Sequence, residues 1–110
     1  MNERDRSILL KIVEESDVLS KMLSGKDEQS FLENDQLMRA TCMTMINISE
    51  LTKKLTMEFR QESEQVPWKD MAGLRDVTAH GYFTLQMSDI WIFASTELPE
   101  YTAKIRDILK

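Results

Sequence analysis

The sequence predicts an all-α domain, an up-down four-helix bundle. Two observations carry that expectation. Apolar residues recur at three and four positions along most of the chain, and neither alternating β-branched runs nor hairpin turns occur. The chain is also poor in breakers, with 3 Gly and 2 Pro among 110 residues, so the few that occur mark element ends. A length of 110 residues suits one domain with its own core, spanning 1–110.

The elements follow in order. Asn2 is a candidate N-cap, and Ile8, Leu9, Ile12, Val13, Leu19, Met22 and Leu23 form one stripe until Gly25 stops the helix. Residues 26–34 read as a polar connection with one short turn around Phe31 and Leu32. Asn34 or Asp35 caps a long second helix whose stripe is Leu37, Thr41, Met45, Ile48, Leu51, Leu55 and Phe59. The polar stretch 61–66 ends before Pro67, which suits the first turn of a third helix through Trp68, Met71, Ala72 and Leu74. Gly81 ends that helix just after His80. Ser88 is expected to cap a last helix in which Trp91, Ala94, Leu98, Tyr101, Ile105 and Ile108 step by three and four. Pro99 lies inside it and should kink it.

Composition excludes several classes. Hydrophobic content of 42% and charged content of 30% fit a globular protein, and no run of 18 apolar residues offers a membrane span. One cysteine, Cys42, cannot form an internal disulfide, and the first residues carry no apolar leader core, so a cytoplasmic location is expected. With one His and one Cys there is no spaced metal-ligand set, and no glycine-rich phosphate loop occurs. Cys42 on a core helix reads as a buried inert thiol, the 8 Met as core filler, and Trp68 and Trp91 as packing anchors. The net charge of −5 argues against a general nucleic-acid binder but leaves room for a small local cleft.

The pointed feature is the string from Arg75 to Tyr82, with Arg75, His80 and Tyr82 spaced as R-x4-H-x-Y. Arginine forks onto phosphate oxygens, and histidine takes and gives a proton near neutrality. Together they suffice to cleave a phosphodiester without a metal. A lone histidine is more often a surface or core residue than a catalytic one, and the flanking Arg, Tyr and Gly shift that balance. On an ideal helix His80 sits about 140° from Arg75, poor geometry for two groups meant to touch one phosphate. Either the helix breaks near Gly81, or a second copy completes the site across a two-fold axis.

R-x4-H-x-Y, preceded by Pro67-Trp68 and Gly73-Leu74-Arg75, resembles the HepT-like branch of the HEPN superfamily. The resemblance runs through nearly the whole chain, from Phe31 to Asp35, through Ile48-Ser49-Glu50-Leu51, to Leu98-Pro99. It implies a homodimeric helical bundle acting as a metal-independent ribonuclease toxin, without cofactor, on an RNA substrate. Its implied partner is a minimal nucleotidyltransferase antitoxin of the MntA type, in a type II/VII-like toxin–antitoxin pair. Arg75 and His80 take the catalytic positions, Asp76 and Tyr82 supporting ones, and Tyr82 also resembles the position that the partner modifies with AMP. Two departures stand out. Ser49 and Leu51 replace the small residues common around the glutamate, and Asp76 stands where asparagine is frequent. A carboxylate there could pair with Arg75 and compete with phosphate, or orient His80. A non-catalytic dimer that binds nucleotide or scaffolds the nucleotidyltransferase is the alternative, and coincidence in a structural helical dimer is a third.

Overall fold

A computed structural model describes residues 1–74 and 86–110. Among them every regular element is helical: α1 (Glu3–Leu23), α2 (Glu28–Leu32), α3 (Asp35–Lys53), α4 (Met57–Glu62), α5 (Trp68–Ala72), α6 (Met87–Ile92), a π turn (Phe93–Glu97) and α7 (Leu98–Leu109). The expected all-α class is found.

Helix α1 begins where the side chain of Asn2 accepts the Asp5 amide at 2.6 Å, and it ends before Gly25, whose φ of 74° is left-handed. Its stripe of Leu9, Ile12 and Leu19 is almost wholly withdrawn from solvent. Polar cross-links fix the directions of its neighbours. Glu15 accepts from Asn47 at 2.7 Å and Asp5 from Thr56 at 2.7 Å, so α3 runs antiparallel to α1. The hydroxyls of Ser16 and Thr102 lie 2.6 Å apart, and Arg6 donates to the Leu109 carbonyl at 3.2 Å, so α7 is antiparallel as well. Helix α1 is therefore the shared wall of the bundle, with α3 and α7 each antiparallel to it. The expected third helix is described only as far as Leu74.

The polar connection holds the expected short turn, but its role is larger than that. Asp27 and Ser30 form a reciprocal capping box, and Phe31 is fully buried with its ring centroid 5.3 Å from that of Trp91. The serine and backbone contacts of Asp27 hold its carboxyl below the ordinary range. Cys42 is buried as expected, and burial pushes its thiol up, which keeps it protonated and unreactive.

Two boundaries differ from the sequence reading. The stripe through Phe59 does not belong to one helix: α3 stops at Lys53, and α4 begins afresh after Thr56. Asp5 explains the break. Its carboxylate is 1% exposed and accepts both the Thr56 amide at 3.0 Å and the Thr56 hydroxyl at 2.7 Å. The same hydroxyl accepts the Phe59 amide at 3.1 Å, capping α4. A continuous helix would strand that buried carboxylate, which costs more than an interrupted ladder. Phe59 still reaches the core, 5.5 Å from Trp68 between ring centroids.

The second difference is at the last helix. Ser88 is not its cap, because helical structure starts one residue earlier at Met87, behind Gln86. The break at Pro99 takes the form of a π turn just before it. Leu98 donates to the Phe93 carbonyl five residues back, and the Ser95 hydroxyl to the Trp91 carbonyl at 2.6 Å. Proline has no N–H for the carbonyl four residues earlier and its ring crowds it, so a turn widened by one residue relieves both conflicts. Ala94, Leu98 and Ile105 stay buried on either side, so the stripe survives the irregularity.

Asp5→Ala should remove about 3 kcal/mol of stability, because the buried Thr56 amide loses its acceptor and α4 loses part of its cap. Urea unfolding followed by circular dichroism measures this, and a loss under about 1 kcal/mol would contradict the role given to Asp5.

Candidate functional site

Arg75, Asp76, His80 and Tyr82 all lie outside the described residues, as do Gly81 and the expected end of the third helix. The described residues fix the two places where the chain enters and leaves that stretch. It departs at Leu74, which is buried, and returns at Gln86. Both line one cavity of about 230 Å³, together with Met45 of α3, Asp89 and Ile90 of α6, and Phe93 and Glu97 of the π turn. The stretch carrying the motif therefore starts and finishes at one place in the fold.

The entry is held rigidly. Pro67 opens α5 with no amide to satisfy, and Trp68 buries its ring while its indole N–H donates to the Ser63 carbonyl at 2.7 Å. Helix α5 lies against α3, where the Ser49 hydroxyl donates to the Ala72 carbonyl at 2.6 Å. Ser49 has no exposed surface. It occupies a position at which the resemblance leads one to expect a small residue, and here the serine both permits the close approach and ties off a carbonyl near the end of α5. Met71, fully buried, completes the contact.

Both sides of this region carry carboxylates. Asp89 and Glu97 face the cavity where the chain enters and leaves, so that wall repels a phosphate. Asp70, Glu97 and Glu100 lie near Tyr101, whose phenol is raised by partial burial and then by those charges. Among the described residues no three His, Cys, Asp or Glu side chains are grouped as metal ligands, and no helix is long and apolar enough to cross a membrane.

Sequence reasoning singled out the motif but missed what anchors its entrance. In sequence Ser49 is only a departure from a pattern, and the tie from Trp68 to Ser63 reaches back into the polar stretch before Pro67. The available signal for Ser49 was its place one turn after Met45 and beside Ile48, on the buried side of α3.

A helical domain built round one long antiparallel wall, with an Arg-His-Tyr motif entered from a short proline-started helix, is consistent with a HEPN-type protein. The HepT-like family, described as "Ribonuclease HepT-like", matches residues 12–108, and the chain belongs to it. Among curated relatives, "Putative RNase TTE0752" of Caldanaerobacter subterraneus subsp. tengcongensis is 33% identical over 105 residues, covering 96% of this chain and 94% of that protein. "Putative RNase MJ1216" of Methanocaldococcus jannaschii is 28% identical over 111 residues, covering 100% of this chain and 92% of the other. "Probable ribonuclease HepT" of Thermococcus cleftensis is 24% identical over 82 residues, 74% of each chain. No solved structure matches the chain.

Ser49→Ala should cost about 1 kcal/mol in urea unfolding, whereas Ser49→Leu should cost more, about 3 kcal/mol, by wedging α5 off α3. Equal losses for the two variants would show that the helices do not meet closely at this residue.

Proposed function

We propose that this protein is a metal-independent endoribonuclease whose site combines Arg75 and His80 at a homodimer interface. In the same reading it is the toxin of a pair with a MntA-type minimal nucleotidyltransferase antitoxin. The observation that carries the reading is the HepT-like match over residues 12–108, which contains the whole R-x4-H-x-Y motif. The ribonuclease names of the relatives support it from proteins that align over most of their length.

The chemistry follows from the residue types. The His80 imidazole takes the proton of a ribose 2′-hydroxyl, whose oxygen attacks the adjacent phosphorus. The bond from phosphorus to the 5′-oxygen breaks, and the leaving oxygen takes a proton from an imidazolium. The products are a 2′,3′-cyclic phosphate and a 5′-hydroxyl. Arg75 lies against the non-bridging oxygens, where charge builds as phosphorus gains its fifth oxygen. No cofactor enters the scheme. Asp76 orients His80 or draws off Arg75, and Tyr82 accepts AMP from the partner enzyme, placing bulk and negative charge at the mouth of a cationic site.

One observation favours a second reading. The chain carries a net charge of −5 and places Asp76 beside its key arginine, as suits a non-catalytic dimer that binds nucleotide or scaffolds the nucleotidyltransferase.

The first reading predicts that the purified protein cleaves RNA in excess EDTA and leaves cyclic phosphate ends. Arg75→Ala and His80→Ala should each lower the rate by a hundred-fold or more, in line with the loss of a general base or of a charge-stabilising group, while leaving the helical circular dichroism unchanged. Cleavage that survives His80→Ala, or that stops with chelator, would contradict it. Wild-type protein that cleaves nothing but retains the nucleotidyltransferase on a column would favour the second reading.

A further inference from the structure

We infer that the open groove between α4 and α5 carries the RNA strand adjoining the scissile phosphate, with Lys69 and Arg60 on its backbone. This rests on the ribonuclease reading and adds a path for the substrate to it. The groove has a volume of about 430 Å³, and its lining includes Met57, Arg60, Glu64, Pro67, Lys69 and Ala72.

Three observations support a polyanionic strand there. First, among the described residues Lys69 and Arg60 form no ion pair, as is also true of Lys104 and several other surface cations, so both are open to an anion. An unpaired cation meets a phosphate without first giving up a partner. Glu64 is the opposing charge on the groove, which leaves its lining at +1 from two cations and one carboxylate. The cavity at Leu74 and Gln86 carries Asp89 and Glu97 instead, so a phosphate chain meets less repulsion from the α4–α5 side.

Second, Arg60 is already oriented. Its Nη2 donates to the Thr52 carbonyl at 2.6 Å, and its Nε is buried with no hydrogen-bond partner. A guanidinium held in this way loses little freedom on meeting an anion. Met57, 62% exposed beside it, offers apolar surface to a ribose or base. Trp68 beneath is buried and tied to Ser63, so the floor of the groove is firm.

Third, the groove ends close to the motif in sequence. Ala72 lines it and lies three residues before Arg75, a span of at most about 11 Å even for extended chain. At about 3.4 Å of rise per phosphate in one strand, that reach is about three nucleotides.

The test is binding of a short 2′-O-methyl oligoribonucleotide, which lacks the attacking hydroxyl, followed by fluorescence anisotropy over a range of salt. Lys69→Glu should weaken binding about ten-fold at low salt and flatten the slope of log affinity against log salt by about 0.7, the loss of one phosphate contact on a single strand. Lys104→Glu, a reversal on exposed α7 outside the groove, should change neither. Affinity and slope unaltered in Lys69→Glu, with wild-type protein binding normally, would overturn the groove while leaving the ribonuclease reading intact. Wild-type protein that neither binds the oligomer nor cleaves RNA would overturn both. A changed molecular mass of Lys69→Glu by light scattering, with RNA affinity unaltered, would make the groove a protein interface and end the inference.

Discussion

The carboxylate of Asp5, buried in the first turn of α1 and bonded twice to Thr56, determines how the middle of the chain runs. It receives the amide and hydroxyl of a residue 51 positions away, and that residue caps the next helix. The consequence is a forced stop in a stretch whose apolar spacing would have continued. Thr52 shares in the stop, its carbonyl taking the Leu55 amide and the Arg60 guanidinium. Once α3 ends at Lys53, α4 turns the chain, Trp68 seats the start of α5, and α5 returns to α3 at Ser49. Leu74 is therefore placed by a sequence of contacts that begins at Asp5.

The other half of the bundle depends on the same wall. Leu9, Ile12 and Leu19 give α1 its apolar stripe, and Ser16 interrupts it with a hydroxyl whose partner is Thr102 on α7. Thr102 also bonds the Leu98 carbonyl at 2.8 Å, so the pair leaves neither hydroxyl without a partner. Pro99 could have ended the last helix. The π turn absorbs it and lets Met87, Ile90, Ala94, Leu98 and Ile105 remain one buried face. The same turn places Phe93 and Glu97 on the cavity where the motif stretch returns.

The fold class was legible because local periodicity and global packing agree in α1, α3 and α7, where every stripe residue named from the sequence is buried or half-buried. What was illegible is long-range. No local pattern reveals that Asp5 will meet Thr56, so the stripe through Phe59 reads locally as one helix. Ser88 suits a cap by residue type, yet the helix starts at Met87, which is buried, and its cap lies two residues earlier at Gln86. The motif was the clearest functional signal in the sequence because Arg, His and Tyr are chemically pointed. Its anchoring was the faintest, since Ser49 and Trp68 act by packing and carry no reactive group.

On the proposed reading the active site lies between two copies, one of the two ways to reconcile Arg75 and His80 with the offset of about 140° that an ideal helix would set between them. Mixing subunits tests this most directly. Arg75→Ala and His80→Ala proteins, each inactive alone, are unfolded together in equal amounts and refolded. If each site takes its arginine from one subunit and its histidine from the other, half of the dimers are mixed and each has one intact site. The account then predicts about a quarter of the wild-type rate. No recovery, with mixed dimers shown to form by mass spectrometry, would contradict a site shared across the two-fold axis.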